Sequence, residues 1–164
     1  MMPLFNWSGR SIASAFLQWG GAGAFAAASE DPDTPAGYHV VRLAQRQNPQ
    51  ARDLPPIVAV IQKATISFDF GLLLAPDVEL EGVPAVTVFP YDGVDEDAQS
   101  RVLSSPRIAT VAKAIGGTGR TNAAVNFRIG DTLGGVVYTL VISCEASNGD
   151  VLAGWTRIRS IAPT

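Results

Sequence analysis

Residues 136–161 read VVYTLVISCEASNGDVLAGWTRIRSI, and this stretch decides the fold. Tyr138, Leu140, Ile142, Cys144 and Ala146 alternate with Thr139, Val141, Ser143 and Glu145, the period of a strand with one face in a core. A second run, Val151 to Ile161, follows Ser147-Asn148-Gly149-Asp150. Asn-Gly between two such runs signals a hairpin, because a type I′ turn needs positive φ at both central residues. With Asn148-Gly149 as a two-residue loop, Cys144 stands opposite Ala153 and Ile142 opposite Trp155. The same register puts Arg157 and Arg159 opposite Leu140 and Tyr138, inside the core, where an unpaired arginine is costly. A bulge near Ala153-Gly154 removes the conflict, turning Ile158 inward beside Leu140 and both arginines outward. The stretch therefore predicts a bulge there, a buried Cys144, and Arg157 and Arg159 as outward partner contacts.

The rest of the chain from Ile57 onward continues this pattern. ATISFDF, residues 64–70, alternates as a half-buried strand. Residues 78–90 give one or two strands broken at Gly82, and RIATVAKAI (107–115) and NAAVNFRI (122–129) are further strands. Residues 91–106 form a polar excursion between them. Several short strands separated by turns predict an all-β fold, an immunoglobulin-like β-sandwich of about seven strands with an extended N-terminal arm. Tyr138, just after Gly134-Gly135, sits where a tyrosine corner forms in such sandwiches.

Composition agrees with one β domain plus an extension. The 164 residues are 47% hydrophobic and 16% charged, with 16 Gly and 11 Pro, which favours turns. The net charge is -3 and the basic residues are scattered, so the footprint of a nucleic-acid binder is missing. A single cysteine excludes an internal disulfide and any cysteine-rich zinc site.

Three segments divide the chain: an arm (1–37), a strand and linker (38–56), and the sandwich (57–164). Residues 1–29 carry a single charge, Arg10, and the large anchors Trp7, Phe16, Leu17, Trp19 and Phe25, types enriched at buried interface cores. Ser11 to Leu17 fits a short helix. The acidic, turn-rich SEDPDTPAG (29–37) ends the arm. The same N-terminal region resembles a signal peptide closing on Ala26-Ala27-Ala28, although Gln18, Gly20, Gly21 and Gly23 interrupt its apolar run.

Candidate chemistry is weak throughout. GGTGR (116–120) has the glycine density of a phosphate loop without its Lys-Ser/Thr ending or a following helix, and reads as a plain loop. Asp92, Asp95, Glu96 and Asp97 lack EF-hand spacing and read as a solvated acidic loop rather than a Ca²⁺ site. His39 has no partner pattern around it. Cys144 lies in an apolar row, and burial suppresses thiolate formation. The expectation is a protein that is not an enzyme, with no cofactor, no metal and no catalytic residues.

Two blocks nevertheless resemble a known family. Phe68-Asp69-Phe70, Leu72 to Pro76 and Val86-Thr87-Val88 match its opening; Gly134-Gly135, Tyr138, Leu140, Ser147 and Gly149 match its close. The pattern, covering residues 57–162, resembles the small immunoglobulin-like virion proteins of tailed bacteriophages described as fiber-tail adaptors. The loop from Tyr91 to Pro106 is longer and more acidic than in that family, and the 50-residue N-terminal extension has no counterpart. The resemblance implies a structural protein of the virion, assembled in the host cytoplasm, joining tail and fibers in the tail or neck region. Its implied partners are copies of itself, in a symmetric homo-oligomer, and other virion proteins, with no nucleic acid and no membrane. A capsid decoration protein is the nearest alternative, and an exported immunoglobulin-like binding module with a signal at residues 1–28 comes from a different class.

Overall fold

In a computed structural model, residues 37–43 and 53–164 are described. Eight strands lie among them: β1 (Tyr38–Arg42), β2 (Ile57–Val58), β3 (Ala64–Asp69), β4 (Leu80–Asp92), β5 (Arg107–Ala109), β6 (Ala124–Ile129), β7 (Val137–Ala146) and β8 (Val151–Ile161). Two short 3-10 turns, Ala98–Arg101 and Lys113–Ile115, interrupt the loops on either side of β5. The fold is all-β. One four-stranded sheet runs β1-β3-β6-β5 and the other β2-β8-β7-β4. Both sheets are mixed, because β1 runs parallel to β3 and β2 parallel to β8, while the remaining pairs are antiparallel.

One apolar core draws on both sheets, as in a β-sandwich. Ile66, Phe68, Val125 and Phe127 come from the first sheet, and Val88, Leu140, Ile142 and Ile158 from the second. Phe68 and Phe127 stack with centroids 6.2 Å apart. The strand at Tyr38–Arg42, expected to stand ahead of the domain, pairs with β3 inside it, and its Val41 belongs to the core.

The decisive hairpin forms without the expected bulge. Tyr138 pairs with Ile158, Ile142 with Gly154 and Cys144 with Leu152 in an uninterrupted register. The shift occurs at the turn instead. The Ala146 N–H donates to the Asp150 carbonyl at 2.8 Å, leaving Ser147, Asn148 and Gly149 as a three-residue loop. Only Gly149 takes positive φ, at 84°, so the turn is the three-residue type whose last residue is left-handed rather than type I′. One extra loop residue moves every later side chain to the other face, which is what the bulge was needed for. Gly154 has a different role: a Cβ there would meet Leu43 Cδ1 at 2.3 Å, so the glycine admits Leu43 into the core.

Two further expectations are corrected. β3 is buried along both faces rather than one: Thr65, Ser67 and Asp69 are buried as fully as their apolar neighbours. The loop after β5 folds over that outer side, Thr118 donating its N–H and hydroxyl to the Asp69 carboxylate and Gly117 accepting from Arg42. The stretch 107–115 is strand only at Arg107–Ala109 because the chain then turns into this covering loop. Residues 80–92, by contrast, form one strand, irregular between Glu81 and Ala85, where Gly82 has φ 75°, and again between Pro90 and Asp92.

Candidate interaction surface

Alternation along β4, β7 and β8 places one row of side chains in the core and the other on the outer face of the second sheet. Hydrogen-bonded register aligns Phe89 with Thr139 and Thr139 with Arg157; the next row aligns Thr87, Val141 and Trp155. Arg157 reaches back across β7, its guanidinium carbon 3.5 Å from the centre of the Tyr91 ring and 5.1 Å from that of Trp155. A cation held against aromatic faces in this way contributes about 1 kcal/mol, more where water is excluded. Thr139, although on the outer face, is buried in this row. The Arg157 Nε is buried with no hydrogen-bond partner among the described residues. Tyr91 remains 59% exposed and Phe89 44% exposed. Tyrosine, tryptophan and arginine on a rigid sheet are the residue types that dominate contact energies between proteins.

The arginines singled out from sequence therefore both lie on this outer face, but in different settings. Arg157 is half-buried between two rings. Arg159, opposite Val137, is exposed and borders a shallow depression with Asp92, Gly134 and Gly135. Trp7, Phe16, Leu17, Trp19 and Phe25 lie outside the described residues. Phe89 and Tyr91 are not among the contacts expected from sequence, where Tyr91 opens the polar excursion 91–106. The available signal was the alternation Thr87, Phe89, Tyr91, which continues past Pro90.

The polar excursion itself is anchored. Asp95 is 6% exposed, and its carboxylate accepts two bonds from Arg101, at 2.8 and 2.9 Å, and one from the Tyr138 hydroxyl at 2.7 Å. The Tyr138 hydroxyl also accepts the Leu133 N–H at 2.9 Å, the backbone contact of a tyrosine corner. Arg101 first, with Tyr138 and the Asp97 N–H adding to it, holds the Asp95 pKa down to about 2. Burial pushes the Tyr138 phenol up. So Asp95 departs from the solvated acidic loop expected of Asp92–Asp97; its place is fixed by a buried ion pair. Among the described residues no group of three or more His, Cys, Asp or Glu converges on a metal position.

The remaining candidates are embedded in structure. Arg120, at the end of GGTGR, donates to the carbonyls of Gly71, Leu74, Ala75, Pro76 and Val78 and so fixes the β3–β4 loop. Cys144 is 3% exposed with its thiol 3.4 Å from the Glu81 carbonyl, and burial pushes the thiol pKa up. Burial pushes His39 down, and its Nε2 has no partner among the described residues. Among those residues no helix is long and apolar enough to cross a membrane. Compared with protein-family models, with curated proteins and with solved structures, the chain matches none.

Proposed function

We propose that the chain is a structural subunit of a tailed-bacteriophage particle, an adaptor in the tail or neck region that joins tail and fibers. The sandwich is read as immunoglobulin-like: β1, β3, β6 and β5 follow the order A, B, E, D, and β8, β7 and β4 the order G, F, C. The Tyr138 corner supports that topology, and the parallel pairing of β1 with β3 is its own variation. The observation that carries the functional reading is the outer face of the second sheet, where Arg157 lies between Tyr91 and Trp155 beside an exposed Phe89. Such a face suits a rigid body that meets other proteins, and the apolar residues 1–29 supply a second element able to bind neighbouring subunits. Cyclic symmetry would then repeat both contacts around the particle axis.

Deleting residues 1–37 tests this division of labour. The truncated chain is expected to keep the near-UV circular dichroism of the folded sandwich and to be lost from purified particles. Normal incorporation of the truncated chain into particles would overturn the anchoring role of the arm.

A further inference from the structure

A two-sheet sandwich has four strand edges, and unpaired edges recruit other chains unless they are blocked. Both edges of the second sheet are blocked in the same way. On β4, the Val88 N–H donates to Gln99 Oε1 at 2.8 Å, and Gln99 Nε2 donates to the Val86 carbonyl at 3.0 Å. Pro84 and Pro90 flank this pair and have no N–H to offer. On β2, the Val58 N–H donates to Gln62 Oε1 at 3.0 Å, and Pro55-Pro56 precede the strand. In the first sheet, β5 is three residues long and follows Pro106.

Among the described residues, the fourth edge, β1, has none of these devices. Thr65 donates its N–H to the Gly37 carbonyl, and Leu43 donates its own to that of Asp69. Odd-numbered residues thus face β3, and the backbone groups of Tyr38, Val40 and Arg42 face away from it. They find no backbone partner among the described residues. The strand contains no proline or lysine. It lines a groove of about 520 Å³ whose other walls include Leu54, Pro55 and Ile115.

We propose that this groove is a strand-acceptor site, and that its occupant is part of residues 1–36 of a second copy of the chain. Main-chain bonds to β1 would give the affinity, and apolar walls would take the side chains, as in other strand additions. The described fold begins at Gly37, one residue before Tyr38 of the groove wall, and 36 residues of chain precede it. Residues 1–29 of the arm carry one charge, Arg10, and include Trp7, Phe16, Trp19 and Phe25, matching the apolar walls. Its last part has Pro32 and Pro35, which lack the N–H donors that a tight hairpin back onto its own β1 would use. The proposal rests on the reading of the arm as a subunit-binding element and names where it binds.

The experiment uses the full-length chain and its Val40→Pro variant, which removes a free-side N–H and no bond of the β1–β3 ladder. Wild type is expected to self-associate with rising concentration in sedimentation velocity, with the variant at least tenfold weaker and equally folded. A 1:1 mixture of ¹⁴N and ¹⁵N wild-type chains is then chemically cross-linked. Links between residues 1–36 and the β1 groove are expected between isotopes, and this result decides alone if the variant misfolds. Monomeric wild type, undiminished association of a folded variant, or arm-to-groove links within one isotope only would each overturn the proposal. Association that persists through other residues sinks the groove alone; absence of the chain from particles sinks the virion reading.

Discussion

Tyr138 and Asp95 are 43 residues apart in sequence and 2.7 Å apart in the fold, the tyrosine hydroxyl donating to a carboxylate that Arg101 also holds. This bond ties the start of β7 to the loop that leaves β4. Removing one partner of a buried ion pair strands the other charge, so Arg101→Ala is expected to cost on the order of 3 kcal/mol. Tyr138→Phe should cost about 1–2 kcal/mol. Urea denaturation of both variants checks the ranking; equal stability to wild type would show that the network carries no weight.

The same carboxylate sets an acid limit. Its folded pKa, about 2, lies below the ordinary carboxylate value of 3.8, so the stabilisation is present above about pH 4 and is lost as pH falls toward 2. Wild type should lose stability across that window, and Asp95→Asn should show a flatter profile. Parallel acid titrations followed by tryptophan fluorescence measure the difference.

Gly154 and Gly149 are glycines for different reasons, and alanine separates them. At 154 a Cβ collides with Leu43, and overpacking of this kind costs about 1–3 kcal/mol. At 149 a Cβ meets nothing within 4 Å but φ is 84°, and the cost is about 1 kcal/mol from the left-handed backbone. Combining Gly154→Ala with Leu43→Ala should recover part of the first loss and none of the second, as thermal melts would show.

Gln99 is expected to protect as well as stabilise. Gln99→Ala leaves the Val88 N–H and Val86 carbonyl open on a 13-residue edge strand. Stability should fall by about 1 kcal/mol, and light scattering at high concentration should rise above that of wild type. A variant as soluble as wild type would count against the edge-blocking role.

The Cys144 thiol should be inert while the chain is folded, since burial both raises its pKa and hides it. Reaction with a thiol reagent is expected in denaturant and not in native buffer at pH 8. Fast native labelling would contradict the burial.

The β7–β8 hairpin was readable because alternation and charge fix which face of each strand turns inward. Outward Arg157 and Arg159 and a buried Cys144 followed from that parity. Where the compensating shift occurred was not readable, since a bulge at Gly154 and a three-residue loop ending at Gly149 give the same parity. Choosing between them depends on Leu43, more than 100 residues away in sequence, which occupies the space beside Gly154. Asp69, in the polar row of β3, looked solvent-facing because its partner Thr118 comes from a loop 49 residues away in sequence. Asp95 looked solvated because one of its two side-chain partners, Tyr138, belongs to a distant strand, and the other, Arg101, meets it only through the 3-10 turn at Ala98–Arg101. Tyr91 escaped notice because the Arg157 guanidinium that lies over its ring comes from β8, two strands away in the sheet.

The most direct measurement is electron cryo-microscopy of purified tailed particles from cells making this chain. The expected result is density for the sandwich in symmetric copies at the tail or neck, with residues 1–36 followed onto a neighbouring subunit. Particles lacking the chain, together with an exported form that has lost its first 28 residues, would contradict the adaptor function.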